Sequence, residues 1–398
     1  DEAAVASRNA GWTLSVLRSG IQRAELRFFP ECALPFIELL TQQLSAALPA
    51  EEKFRVTQLE SRTWGLLIPL CSTRPTDVVA SFKMIAKTLG DALRKKALRT
   101  TICSSLTALI RNSRRDAASA GPSADEGQRN VAEIAKYDKN FLPILFNIFG
   151  ETSGGGESDA VVGTIAAYAS VADPHRLNTF FKTIMKKLLE AISGAEASES
   201  RDRHVMTDLA LALAAALSQE NLSLLYRCVR PQLVHSDATL QKKSYKVVLH
   251  LLGTGGEAEA GDGAGSAAAV SFADDHAVLM DIGEALAAST QACQAAARPL
   301  RHRCLQLCVG RIENDELASF AQVFLGEVIL ATKEPNAKAR EAGLAVVSGL
   351  AARMGAIRAL PQYMAMLAAG LAGKSPHMII ASVGCMAHVL GAYREAHD

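Results

Sequence analysis

Aromatic side chains make up only 5% of the 398 residues, with two tryptophans in the chain. A core organised around large rings is excluded, and the interior has to be assembled from Leu, Ala, Val and Ile, the composition of closely packed helix pairs. Charge of one sign is also missing. Lys and Arg number 42 against 41 Asp and Glu, a net charge of +1. The chain as a whole is therefore no electrostatic magnet for nucleic acid, and any such binding has to come from local clusters. The most apolar stretch, Leu209 to Leu217, falls well short of the ~20 residues of a membrane span and reads as a buried helix.

Recognisable reaction chemistry is equally scarce. No Gly-x-Ser-x-Gly elbow, His-Glu-x-x-His pair or Cys-x-x-Cys pair occurs, and the nine histidines are dispersed. Nothing brings a nucleophile, a base and an orienting acid together. The eight cysteines (Cys32, Cys71, Cys103, Cys228, Cys293, Cys304, Cys308 and Cys385) are scattered, most of them in apolar helical runs. That usage fits reduced thiols serving as small core residues in a cytosolic or nuclear compartment. The expectation is no catalytic, cofactor-binding or metal site, and no enzyme. Beginning at Asp1 rather than Met, the chain is read as a piece of a larger protein.

What the sequence does contain is a helical hairpin repeated with variation. One copy runs from Asp237 through Leu240, Tyr245 and Val248 to Leu252, and another from Glu334 through Ala339, Gly343 and Val347 to Leu350. Each has a polar start, an apolar stripe at helical spacing and a break. A lone hairpin of this kind cannot cover its own apolar face, so copies have to stack. Eight pairs are expected: 33–48 with 51–70, 76–89 with 91–111, 132–149 with 158–172, 173–192 with 201–217, 220–230 with 237–252, 274–291 with 298–310, 315–330 with 335–354, and 360–371 with 376–393. Their starts recur roughly every 40–47 residues, the period of HEAT or armadillo arrays, and paired rather than triple helices favour HEAT.

The predicted fold is thus all-α, a HEAT/armadillo-like superhelical solenoid of antiparallel helix pairs. It has an irregular lead over 1–30, pairs over 31–111, an inserted loop at 112–128, pairs over 129–252, a Gly/Ala/Glu/Asp/Ser-rich insertion at 253–272 expected to be disordered, and pairs over 273–398. Gly90-Asp91 is expected to form the corner of the second pair. Trp64, flanked by Leu67 and Ile68 at helical spacing, is expected to plug the core.

Two constellations invite a chemical reading and are given structural ones. Ala368 to Ser375 satisfies a loosened phosphate-loop pattern that includes Lys374. That chemistry needs a strand feeding the loop, whereas an Ala/Leu/Met helix precedes it and Pro376 follows, so a hairpin turn is expected. Cys304 and Cys308 sit one turn apart near His302 and Cys293, but both thiols join an apolar stripe with Leu300 and Leu307, so packing is expected over metal binding.

Basic clusters are the better lead. Lys95 and Lys96, Lys242 and Lys243, Arg301 and Arg303, and Lys338 and Arg340 fall near the starts of second helices. Equivalent positions on stacked units lie side by side, so these residues would form a stripe for phosphate backbones.

Several stretches also resemble a known family. They are Thr63-Trp64-Gly65-Leu66-Leu67-Ile68-Pro69, continuing to Gly90; Lys139-Asn140-Phe141-Leu142-Pro143; Leu225-Tyr226 through Pro231; Gln241-Lys242-Lys243-Ser244-Tyr245; and Glu327 through Glu334. In order, over roughly 33–394, they resemble the HEAT-repeat ribosome-assembly family of ribosomal RNA-processing protein 12. The resemblance implies a nucleolar and nuclear protein, shuttling to the cytoplasm, that joins small-subunit precursors in pre-rRNA processing and pre-ribosome export. Its implied partners are pre-ribosomal RNA, assembly factors, and a Ran-type GTPase or the transport machinery. It brings no catalytic residues or cofactor. The runner-up is a karyopherin-like transport adaptor that grips protein cargo or a GTPase without functional RNA contact. The two small-residue insertions and the Ala-enriched helices depart from the family pattern.

Overall fold

The computed structural model describes residue 31 and residues 34–44, 49–152, 154–194, 197–253, 272–373 and 375–395. The 1–30 lead, nearly all of the 253–272 insertion and Lys374 of the phosphate-loop-like stretch lie outside the described residues. Every regular element among the described residues is helical. The all-α array of helix pairs expected from periodicity is what the chain builds.

Helix starts follow local chemistry. Asp237 accepts from the amides of Thr239 and Leu240, Asp275 from Ala277, and Asn336 from Lys338. Asp173, just ahead of Pro174, accepts from the Arg176 amide at 2.9 Å. Each cap satisfies a donor that the first turn leaves open, worth about 1 kcal/mol.

The chain divides into two compact units, the first comprising residues up to 186 with 208–217, the second 187–207 and most of the residues beyond 217. In the first, Leu34–Leu44 pairs with Ala50–Gly65, and Arg99–Ala117 is a hub touched by Ala50–Gly65, Leu67–Thr73, Phe82–Arg94, Pro122–Ala135 and Gly156–Ala169. The few aromatics are gathered rather than spread. Phe82 meets Tyr137 edge-on at 5.0 Å, and Phe141 stacks on Tyr168 at 5.4 Å. Trp64 is fully buried, as expected of a core plug.

The boundaries depart from expectation in several places: the helices expected over 76–89 and 132–149 are broken, at Ser81 and at 136–137, and three further departures have a local cause. The helix predicted over 51–70 breaks at Leu66, giving Ala50–Gly65 and Leu67–Thr73. Pro69 has no N–H for the Gly65 carbonyl, and its ring crowds that group, so the ladder stops there. Gly90-Asp91 is no corner. It lies inside Phe82–Arg94, where buried Leu89, Ala92 and Leu93 carry the stripe past the glycine, and the turn falls at 95–98.

The third departure is the inserted loop expected at 112–128. It is helical: Arg99–Ala117 runs on, Gly121 turns with φ of 94°, and Pro122–Ala135 doubles back, making a triplet where periodicity predicts a pair. Small residues suggest a linker, but one of them is there for contact. A Cβ on Gly127 would lie 2.1 Å from the Ala117 backbone nitrogen. Asn130 then ties the added helix to Thr76 by a 2.9 Å hydrogen bond.

In the second unit the pairs are Gln219–Val229 with Ala238–Leu251, His276–Ala288 with Arg298–Arg311, Leu317–Ala331 with Ala337–Ala356, and Leu360–Ala369 with Pro376–Glu395. Their second helices pack in series: Ala238–Leu251 on Arg298–Arg311, that helix on Ala337–Ala356, and the latter on Pro376–Glu395. Gly343 sets one close approach, since a Cβ there would be 2.9 Å from that of Ala331. The phosphate-loop-like residues that are described end one helix, pass through the 3₁₀ turn Gly370–Ala372 and lead to Pro376, the hairpin corner expected. The 18-residue window Pro376–Tyr393 is long and apolar enough to cross a membrane by length and composition.

Gly127→Ala tests the close approach. The added methyl should lower unfolding stability by about 1–3 kcal/mol in chemical denaturation, because backbone has to move to admit it.

Candidate nucleic-acid interface

The eight basic residues singled out from spacing have different fates. Lys96, Lys242 and Lys338 are exposed, as is Lys246, one turn beyond Lys242 on the same face. Arg303 is half-buried. Lys95 reaches back 2.6 Å to Glu60, a buried carboxylate that also accepts from Thr41, so much of its charge is spent inside the fold. Lys243 donates to the His204 carbonyl at 3.1 Å, and Arg340 donates to the Glu334 and Pro335 carbonyls, each at 2.8 Å. Of the neighbouring cations, Arg99 pairs with Glu151 and Glu157, and Arg298 with Glu334.

Arg301 is a correction. It is 0% exposed and meets no solvent. Its guanidinium spends all five N–H donors inside the protein: Nε and Nη2 on the two oxygens of Glu327 at 2.6 and 2.8 Å, Nη1 on Tyr245 and Ser289, and Nη2 again on Thr290. The Tyr245 hydroxyl donates to Ser289, which donates in turn to the Ala285 carbonyl. Buried Gln241 completes the seam, donating to the Leu233 and Ala292 carbonyls and accepting from the Gln294 amide. This network crosses three successive pairs of the second unit. A buried ion pair adds little net stability, because desolvation offsets the attraction, but a slip of one pair against the next would break several of these directed bonds.

Burial alone would push the Glu327 carboxyl up, but the hydrogen bonds and charge of Arg301 bring it from 4.5 down to about 2, with His302 Nε2 3.3 Å away. Sequence reasoning missed this role although a signal was present. Arg301 lies on the stripe of Ala297, Cys304, Leu305 and Cys308, all buried, whereas Leu300 and Leu307, expected on that stripe, flank it. Cys304 and Cys308 are packing residues, as expected, and burial pushes both thiols up. Cys71, Cys103, Cys228 and Cys385 are likewise buried free thiols.

Repeated helix pairs with second helices stacked on one another define this chain as a HEAT-repeat array, with lysines displayed near the starts of those helices. A family profile described as Ribosomal RNA-processing protein 12, HEAT repeats, matches residues 1–152. The human RRP12-like protein is 31% identical over 397 residues, covering 96% of this chain and 28% of the relative. Ribosomal RNA-processing protein 12 of Saccharomyces cerevisiae is 23% identical over 411 residues, covering 94% of this chain and 32% of the relative. The chain belongs to the ribosomal RNA-processing protein 12 family and spans about a third or less of the length of these relatives. Among solved structures, the karyopherin Kap121p bound to the extreme C-terminus of the protein phosphatase Cdc14p matches with a TM-score of 0.60 at 12% identity, over 94% of this chain and 36% of that one. Kap121p bound to the SUMO protease Ulp1p gives 0.56 at 14% identity, over 96% and 38%. At such identities the likeness is one of fold.

Two measurements check the buried seam. Arg301→Met should cost about 3–5 kcal/mol in chemical denaturation, since it strands a buried carboxylate. With Glu327 held at about 2 in the folded protein against 4.5 ordinarily, its contribution is complete above pH 4.5 and is lost as pH falls towards 2. Glu327→Gln should therefore flatten the loss of stability over that acid window.

Proposed function

We propose that this chain is the HEAT segment of a structural ribosome-biogenesis factor acting on the small-subunit precursor. It scaffolds pre-ribosomal RNA and assembly factors during pre-rRNA processing and nuclear export, works in the nucleolus and nucleus with passage to the cytoplasm, and carries out no catalysis. The observation that carries this reading is continuous similarity over 94–96% of the chain to relatives named for ribosomal RNA processing.

RNA contact is assigned to Lys96, Lys242, Lys246, Lys338 and Arg303, with Lys243 and Arg340 beside them and Lys95 reduced by Glu60. Arg301 is removed from the set. On stacked second helices such lysines add their fields, and phosphate binding proceeds by Coulomb attraction and release of counterions. Each lysine neutralises one phosphate among several, so single substitutions do little and combined reversals are needed. A Ran-type GTPase or transport machinery is a further partner of the complete protein in this reading.

Charge reversal at Lys242, Lys246 and Lys338 together tests it. Affinity for a pre-rRNA fragment should fall, and the slope of log affinity against log salt should shrink by about 0.7–0.9 for each phosphate no longer neutralised. In-cell crosslinking with peptide mapping should place RNA on the Ala238–Leu251 and Ala337–Ala356 helices. Unchanged affinity and slope, with salt-insensitive capture of protein cargo, would transfer the assignment to a karyopherin-like adaptor.

A further inference from the structure

Beside the Arg301 seam, a cleft of about 320 Å³ opens between two successive helix pairs of the second unit. Small-ligand pockets begin at about this size. Gln291 and Cys293 line it from the turn after His276–Ala288, Arg298 and His302 from the start of Arg298–Arg311, and Leu330 and Glu334 from the end of Leu317–Ala331 and the turn beyond it. The first of these walls is fixed by Gln241, whose side chain binds the Ala292 carbonyl and the Gln294 amide on either side of Cys293.

His302 is the group in this cleft that packing does not account for. It is 1% exposed, and neither ring nitrogen completes a hydrogen bond within the protein. The nearest acceptor, Glu327 Oε1 at 3.3 Å from Nε2, is already taken by Arg301 at 2.6 Å. Buried polar groups are ordinarily paired, so an imidazole held this way at a cleft has bonding capacity to offer. Arg298 and Glu334 also have capacity to spare. They pair through one guanidinium nitrogen and one carboxylate oxygen, and the second oxygen and the other N–H groups remain for a further partner.

We propose that the cleft receives one unstacked guanine of single-stranded RNA, an inference that rests on the RNA reading above. Charge selects the class of occupant. Glu327 and Glu334 balance Arg301 and Arg298 around the cleft, so neither an anion nor a cation is favoured, and a neutral ring with donors and acceptors on its edge is. Guanine is the base with two adjacent donors, N1–H and the N2 amino group, for the Glu334 carboxylate, while Arg298 is matched to O6 and N7. The imidazole, able to donate from one nitrogen and accept at the other, finds on the purine edge the partner that the protein withholds. Leu330, 43% exposed, gives the ring an apolar wall. Position agrees, since exposed Lys338 follows Glu334 at the start of the next second helix. Phosphate contacts there would set the strand in place and the cleft would read a base splayed from it.

Fluorescence anisotropy with short oligouridylates carrying one central G, A, C or U, all at one salt concentration, tests the proposal. The G-bearing oligomer should bind about tenfold more tightly than the others, the discrimination of one well-matched base. Glu334→Gln should abolish that preference without weakening binding of the all-U oligomer, because it removes a negative charge. Cys293, the half-exposed thiol of the cleft wall, gives a local readout in the unaltered protein. Its alkylation by N-ethylmaleimide, mapped by peptide mass, should slow with the G-bearing oligomer and not with the all-U one. Equal, salt-dependent affinity for all four oligomers overturns the proposal and leaves the lysine stripe standing, whereas no binding of any of them overturns both. Protection of Cys293 by inorganic phosphate alone, the mark of an anion site, or by a lysine-rich peptide without RNA, the mark of a protein side-chain pocket, also overturns it.

Discussion

Everything in this protein depends on one constraint: a two-helix unit cannot bury its own apolar stripe and has to lend it to the next unit. In the second unit this appears as second helices packed in series, from Ala238–Leu251 to Pro376–Glu395. Each fully buried Leu or Val contributes about 1.5–3 kcal/mol, and almost all of that gain lies between helices. Scarcity of aromatics follows from the same constraint. Small and aliphatic side chains let neighbours approach, and at Gly127 and Gly343 the approach leaves too little room for a Cβ.

A non-directional interaction does not choose a register, and the buried polar seam supplies that choice. Arg301 spends all its donors on Glu327, Tyr245, Ser289 and Thr290, while Gln241 spans from the Leu233 to the Ala292 carbonyl. Slipping one pair against the next would strand several of these groups away from water, where each costs more than its bond contributes. The seam and the exposed lysines come from one short stretch. In Gln241-Lys242-Lys243-Ser244-Tyr245, Gln241 and Tyr245 point inward to the register lock while Lys242 stays outside. Family resemblance in that stretch therefore combines folding and surface chemistry, and only burial separates them.

This separation bears on function. An array of this kind offers an extended surface, with charge and apolar faces at different places along it. In the second unit, Lys242, Lys246 and Lys338 lie near the starts of second helices, and the uncharged Pro376–Tyr393 window lies at the last of them. Fold alone leaves partner choice open, as the likeness to karyopherins at 12–14% identity illustrates.

The helix-pair architecture, the buried cysteines, the Trp64 plug and the helix starts near Asp237 and Asp173 were legible in the sequence. Each rests on local periodicity or on a side chain answering its own backbone. The helix at Pro122–Ala135 was not legible, because small residues at a close contact look the same as small residues in a linker until Ala117 is seen against Gly127. Nor was the burial of Arg301. A guanidinium written beside other cations reads as surface charge, and only Glu327, 26 residues away in sequence, turns it inward. Sequence alone determined that the chain is a stack of amphipathic helices, since periodicity is a property of neighbours along the chain. Tertiary structure decided which charges face solvent and which hold the register, because burial and ion pairing depend on residues that meet only after folding.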